Sequence, residues 1–137
     1  MEAADNRMEY RAIAWIQDSS DFNAEDCVDR LKRRFPEAQI TSANNIISIG
    51  IGNFSARLYL EREPHVALEA QEFAGLVPTY RCAAELAKCH TRISVICNEA
   101  ETMMERFNDF LVIGETLQEF NGVMVFDLAS FTPFRGQ

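Results

Sequence analysis

The stretch NIISIGIGNFSARLYLE, residues 45–61, decides the fold class. Asn45–Ile51 and Phe54–Glu61 are two short runs rich in isoleucine, leucine and aromatic residues, parted by Gly52-Asn53. Glycine and asparagine tolerate the positive φ that a tight hairpin needs. In the second run Phe54, Ala56, Leu58 and Leu60 fall on one face, and Ser55, Arg57, Tyr59 and Glu61 on the other. A period of two with one polar side describes an antiparallel strand that packs on one face and meets water on the other. Ala38–Thr41 precedes them across Ala43-Asn44-Asn45, so the three runs form a meander, closed by Pro64. Gly50-Ile51-Gly52-Asn53-Phe54-Ser55 has some likeness to a phosphate-binding loop. Such a loop must open a helix whose N-terminus holds the phosphate. Here a strand follows, and a turn is the reading.

Working outward, Tyr10–Gln17 (YRAIAWIQ) sets Ala12, Ala14 and Ile16 against Ile13 and Trp15, a strand with apolar side chains on both faces. Phe22-Asn23-Ala24-Glu25-Asp26-Cys27 starts a helix: Asn23 caps, and Phe22 is placed to staple onto Cys27. Glu25 and Asp26 lie at its positive end, and Arg30, Lys32, Arg33 and Arg34 crowd its negative end. Cys27, Val28, Leu31 and Phe35 form its buried stripe, and Pro36 stops it. Beyond Pro64, Val66–Ala74 and Thr79–Cys89 read as helices broken by Gly75 and Pro78. RISVICN (Arg92–Asn98) is a strand. Ala100–Phe120 is a long helix capped by Asn98 or Glu99 and ended by Asn121-Gly122, and GVMVFD (Gly122–Asp127) is the last strand.

The order β-α-β-β-β-α-α-β-α-β is that of an α+β fold: a mainly antiparallel sheet with helices packed on one face, a ferredoxin-like variant with extra strands. A right-handed crossover at the end allows one parallel pairing. One globular domain over residues 1–137 is expected, with 1–7 a mobile tail.

Charge narrows function. Against 13 Lys and Arg stand 21 Asp and Glu, a formal net charge of -8. Such a chain repels nucleic acid and anionic membrane and attracts cationic partners. No apolar run reaches the length of a membrane helix, and the start lacks the basic and apolar segments of a signal peptide. Cys27, Cys82, Cys89 and Cys97 show neither CxxC pairs nor zinc-finger spacing and suit a reducing, cytoplasmic setting as buried thiols.

Candidate chemistry is sparse. His65 and His90 belong to no metal motif, and adjacent Cys89 and His90 would diverge by about 100° on a helix. No metal and no cofactor is expected. The carboxylate pairs Asp18/Asp21, Glu61/Glu63, Glu99/Glu101 and Glu115/Glu119 sit where solvated surface is the default, so no catalytic residue is assigned. Asp18, Asp21, Glu25 and Asp26 follow the first strand, and Glu61 and Glu63 end the last strand of the meander. If the strands pair antiparallel, the acids gather near one end of the sheet. With Tyr59 and Tyr80 as aromatic anchors, they would form a surface for a basic protein partner.

A small acidic α/β chain of this kind resembles the immunity proteins of bacterial toxin systems, and residues 66–131 also resemble uncharacterised bacterial domains ending in αβαβ. The resemblance implies a non-catalytic binding protein that neutralises a basic toxin and touches neither nucleic acid nor membrane. The alternatives are a homodimeric regulatory or structural module, through an open sheet edge, and a small enzyme with a cysteine or carboxylate site.

Overall fold

The structure, a computed structural model, describes residues 8–52, 54–99 and 103–134. The expected tail, residues 1–7, lies outside them. Among the described residues the sheet has seven strands, and every neighbouring pair is antiparallel.

The meander forms β2 (Gln39–Ala43), β3 (Ile46–Ile51) and β4 (Phe54–Glu61). Asn44 and Asn45 take φ of 55° and 66°, and Gly52 takes 58°, the left-handed turn backbone that these residue types tolerate best. Beside β4 lies β5 (Thr91–Glu99), then β1 (Met8–Ile16), β6 (Val123–Asp127) and the short β7 (Thr132–Pro133). β7 adds an element to the expected order. The crossover to a parallel neighbour does not form, because β1 lies between β5 and β6.

Helices cover both faces of the sheet, which corrects the one-face expectation. On one face α1 (Ala24–Arg34) and α4 (Met103–Gln118) enclose the larger core, with Leu31, Phe110, Ile113 and Leu117 against Ala12, Ala14, Leu58, Val95 and Val125. On the other face α2 (Pro64–Leu76) and the single turn α3 (Ala83–Leu86) pack Val66, Ala70, Phe73 and Leu86 on Ile13, Trp15, Met124 and Phe126. The reason is β1. Its alternation is apolar on both sides, and Trp15 (1% exposed) needs a cover of its own. Burying such a side chain contributes about 1.5–3 kcal/mol, enough to hold a helix of modest amphipathicity in place.

The expected helix over Thr79–Cys89 shrinks to Ala83–Leu86. The Tyr80 amide donates to the Val77 carbonyl and the Ala83 amide to the Tyr80 carbonyl, both at 3.0 Å, giving successive turns after Pro78. β5 runs through Asn98 and Glu99, the residues expected to cap the long helix, and residues 100–102 at its expected start lie outside the described residues.

α1 follows its sequence signals. Asn23 Oδ1 accepts from the Asp26 amide at 3.0 Å, and the Asp26 carboxylate turns instead to Arg30 at 3.0 Å. In α4 the chain has a glycine in mid-helix, Gly114, whose missing side chain leaves room for the Phe134 ring. Phe134 is thereby buried and packs edge-on against Phe110.

Candidate functional site

Strand direction settles where the predicted acids go. β1 and β4 both pair antiparallel with β5, so they run the same way, and their C-terminal ends meet β5 side by side at Ile16–Thr91 and Glu61–Arg92. The start of α1 lies at the same end, with Phe22 and Ala24 beside Leu60 and Ile93. Asp18, Asp21, Glu25, Asp26, Glu61 and Glu63 therefore collect at one end of the sheet.

Their surroundings divide them. Asp21 is structural: its carboxylate accepts from the Asn121 amide at 2.8 Å and from Asn121 Nδ2 at 3.3 Å, holding the turn after α4. Asp26 pairs with Arg30, which also reaches Glu119 at 3.3 Å and lies 4.1 Å over the Phe120 ring. Arg34 pairs with Glu119 as well. The carboxylate expected from α4 thus ties α1 to α4. Asp18 stays exposed, 3.5 Å from the equally exposed His90. Glu25 and Glu63 are exposed too.

Glu61 belongs to a network that register alone creates. Arg92 Nε donates to Glu61 Oε1 at 2.7 Å, and Arg92 also pairs with Glu69 of α2. The Ser94 hydroxyl donates to the same Glu61 oxygen at 3.0 Å, and the guanidinium lies 5.5 Å from the Trp15 ring. Arg92, 12% exposed in its side chain, is a clamp between β4, β5 and α2. Sequence reading missed it because Glu61, Glu69 and Arg92 are far apart in the chain. The signal available was a charged residue at the start of an otherwise apolar strand.

The two tyrosines stand apart. Tyr59 shares the sheet face of Glu61 and lines a shallow open groove with Arg11, Ser94 and Ile96. Tyr80 lies beyond α2, edge-on to Phe126, in a groove of about 600 Å³ shared with Leu76, Phe131 and Pro133. Phe126, Ile13, Ser94 and Tyr59 are successive cross-strand partners, so the backbone of Tyr59 lies about 14 Å from that of Phe126, the residue Tyr80 packs on, at about 4.8 Å per strand. They do not form one patch.

Three of the four thiols are buried, and Cys82 is half-buried. Burial pushes the Cys27, Cys89 and Cys97 thiols up to about 12 from an ordinary 9.0, so they are protonated near neutrality. Cys89 directs its sulfur at the Glu85 carbonyl, 3.7 Å away. Among the described residues no three His, Cys, Asp or Glu side chains gather to hold a metal ion, and no helix is long and apolar enough to cross a membrane.

No protein-family model, curated protein or solved structure matches the chain.

Proposed function

We propose that this chain is a non-catalytic binding protein that neutralises a basic protein partner, in the manner of a small acidic immunity protein. The observation that carries the reading is the shared direction of β1 and β4, which collects Asp18, Glu25 and Glu63 as exposed carboxylates at one end of the sheet. Asp21, Asp26 and Glu61, held by Asn121, Arg30 and Arg92, form the rigid base of that end. With Tyr59 two residues from Glu61, they give a pre-set acidic surface with one half-buried aromatic beside it. Tyr80 is too distant to share it.

Fold and compartment fit the same reading. The order β6-β1-β5-β4, with α1 and α4 on one face, supports a ferredoxin-like core. The β2–β3 hairpin extends its sheet, and α2 and α3 cover part of the other face. All four cysteines are unpaired, which suits a reducing cytoplasm. Against an enzyme stand the burial of three thiols and the engagement of Asp21, Asp26 and Glu61 with cations or amides, where a general acid or base needs a free carboxyl in a cleft.

The test is affinity isolation from the native host with tagged protein, at low and at high salt. A basic protein held at about 1:1 and released by salt supports the reading, since exposed charge pairs are screened. A partner unaffected by salt, or one that is acidic, overturns it.

A further inference from the structure

We infer that β2 is a self-pairing edge, through which two copies of this chain join antiparallel into one continuous sheet. The reasoning starts from backbone parity. The Leu60 amide donates to the Asn45 carbonyl at 2.9 Å, so that carbonyl faces β4. Its peptide unit is planar and trans, which aims the Ile46 amide the opposite way, at β2. Ile46 and its partner Ala43 are therefore a hydrogen-bonded pair, and alternation makes Ser48–Thr41 and Gly50–Gln39 the next two. The N–H and C=O groups of Ile40 and Ser42 then point away from the sheet. Among the described residues no strand pairs with that side of β2.

Exposed edges are ordinarily guarded by a charge, a proline or a bulge. β2 reads Gln-Ile-Thr-Ser-Ala and has none of these, and Gln39, Thr41, Ser42 and Ala43 are exposed. The lack of charge extends across residues 38–56, in a chain that otherwise carries 34 charged side chains, 13 basic and 21 acidic. Two copies, each with a formal charge of -8, repel one another through their net charge. The hairpin itself offers them a contact free of carboxylates, and the reversed charges along α1 beside it select a second copy as the occupant.

The strand suits a two-fold axis. With the axis at Thr41, Ile40 faces the partner copy's Ser42 and Ser42 faces the partner copy's Ile40, so each pair exchanges both amide–carbonyl bonds. Thr41 meets its own copy in a close non-hydrogen-bonded pair, a favourable threonine contact. The same axis reverses one α1 against the other. On the flank of α1 turned away from α4, Glu25, Asp29 and Lys32 follow one another at helical spacing and are all exposed. Reversal brings the acidic start of one helix toward the basic end of the other. The β2 seam lies on the side of the sheet, and only Glu25 of its flank belongs to the acidic end as well, so variants at Thr41 and Ser42 test it apart from the proposed function.

A five-residue seam with a helix flank falls at the small end of specific interfaces, so the dimer is weak. Sedimentation equilibrium of the full chain from about 5 to about 500 µM covers the range in which such an interface half-associates. The wild type is expected to self-associate and to remain associated at about 0.5 M NaCl, because the seam is uncharged. Thr41→Lys and Thr41→Glu each place like charges opposite one another and are expected to weaken association at least about tenfold. Mixed 1:1, they restore it. Ser42→Pro removes an outward donor that the β2–β3 pairing does not use and is expected to weaken association in the same way, with circular dichroism checking that the chain stays folded. A wild type that is monomeric throughout, a dimer that Thr41→Lys leaves unchanged, or a mixture no tighter than either variant alone overturns the inference.

Discussion

Replacing Gly114 by alanine sets two known effects against each other, and the geometry decides the sign. In an exposed helix the change would stabilise by about 1 kcal/mol, because glycine loses more backbone entropy than alanine. Here a Cβ built on Gly114 would overlap ring carbons Cδ2, Cε2 and Cζ of Phe134. That ring is 6% exposed, and its own backbone is fixed by the Phe134 amide donating to the Val125 carbonyl at 2.9 Å. It must swing out. Releasing a buried phenylalanine forfeits about 1.5–3 kcal/mol, and losing its contact with Phe110 a further 0.5–1.5 kcal/mol or so. The net expectation is destabilisation by about 1–3 kcal/mol, or roughly 3–10 °C in Tm for a chain of this length. The assay is a double-mutant cycle by urea unfolding: Gly114→Ala, Phe134→Ala, and both. In the Phe134→Ala background the obstacle is gone, so Gly114→Ala should become neutral or stabilising by up to about 1 kcal/mol. A Gly114→Ala variant as stable as wild type, or equal effects in both backgrounds, would refute the packing argument.

Arg92→Ala should cost about 2–3 kcal/mol in urea unfolding, because it strands Glu61, 30% exposed in its side chain, and takes the cation from Trp15. Glu69, 45% exposed, adds little. Arg92→Lys keeps one charge but not the fork and should lose about half as much; equal stability of all three proteins would mean that the clamp is idle. Alkaline pH should unfold the chain in a defined direction. Cys27, Cys89 and Cys97 titrate near 12 when folded against an ordinary 9.0, so the unfolded chain gives up its protons first. Their contribution is complete below pH 9.0 and falls as pH rises toward 12. Tyr80, raised by burial from 10.0 to about 12, falls away in the same direction. Urea midpoints measured across this range should drop, and less steeply for Cys97→Ala; a flat profile would show that these groups are not buried in solution.

Local chemistry carried much of the fold. Asn23 as a cap, asparagine at the β2–β3 turn and alternation along β4 are all decided within a few residues, and the structure has each of them. The helices on both faces were legible in principle, since Ile13 and Trp15 oppose Ala12, Ala14 and Ile16 within one strand. They were missed because an apolar second face does not say what covers it. The gathering of acids needed only the relative direction of β1 and β4. Which acids remain free needed register, because Glu61 meets Arg92 across two strands and Asp21 meets Asn121 across most of the chain. Charge count alone treats Asp18 and Asp21 alike. Three-dimensional pairing makes one a surface group and the other a clasp.

The central claim is that the exposed carboxylates at this end of the sheet recognise a basic protein. The direct measurement is parallel capture from the native host with the wild type and with a variant carrying Asp18→Lys, Glu25→Lys and Glu63→Lys, both verified as folded. These positions are exposed and have no buried role, so the fold should tolerate the changes. The account predicts one basic protein at about 1:1 on the wild type, and its loss from the variant. The same partner retained equally by both, or bait alone in both eluates, would contradict it.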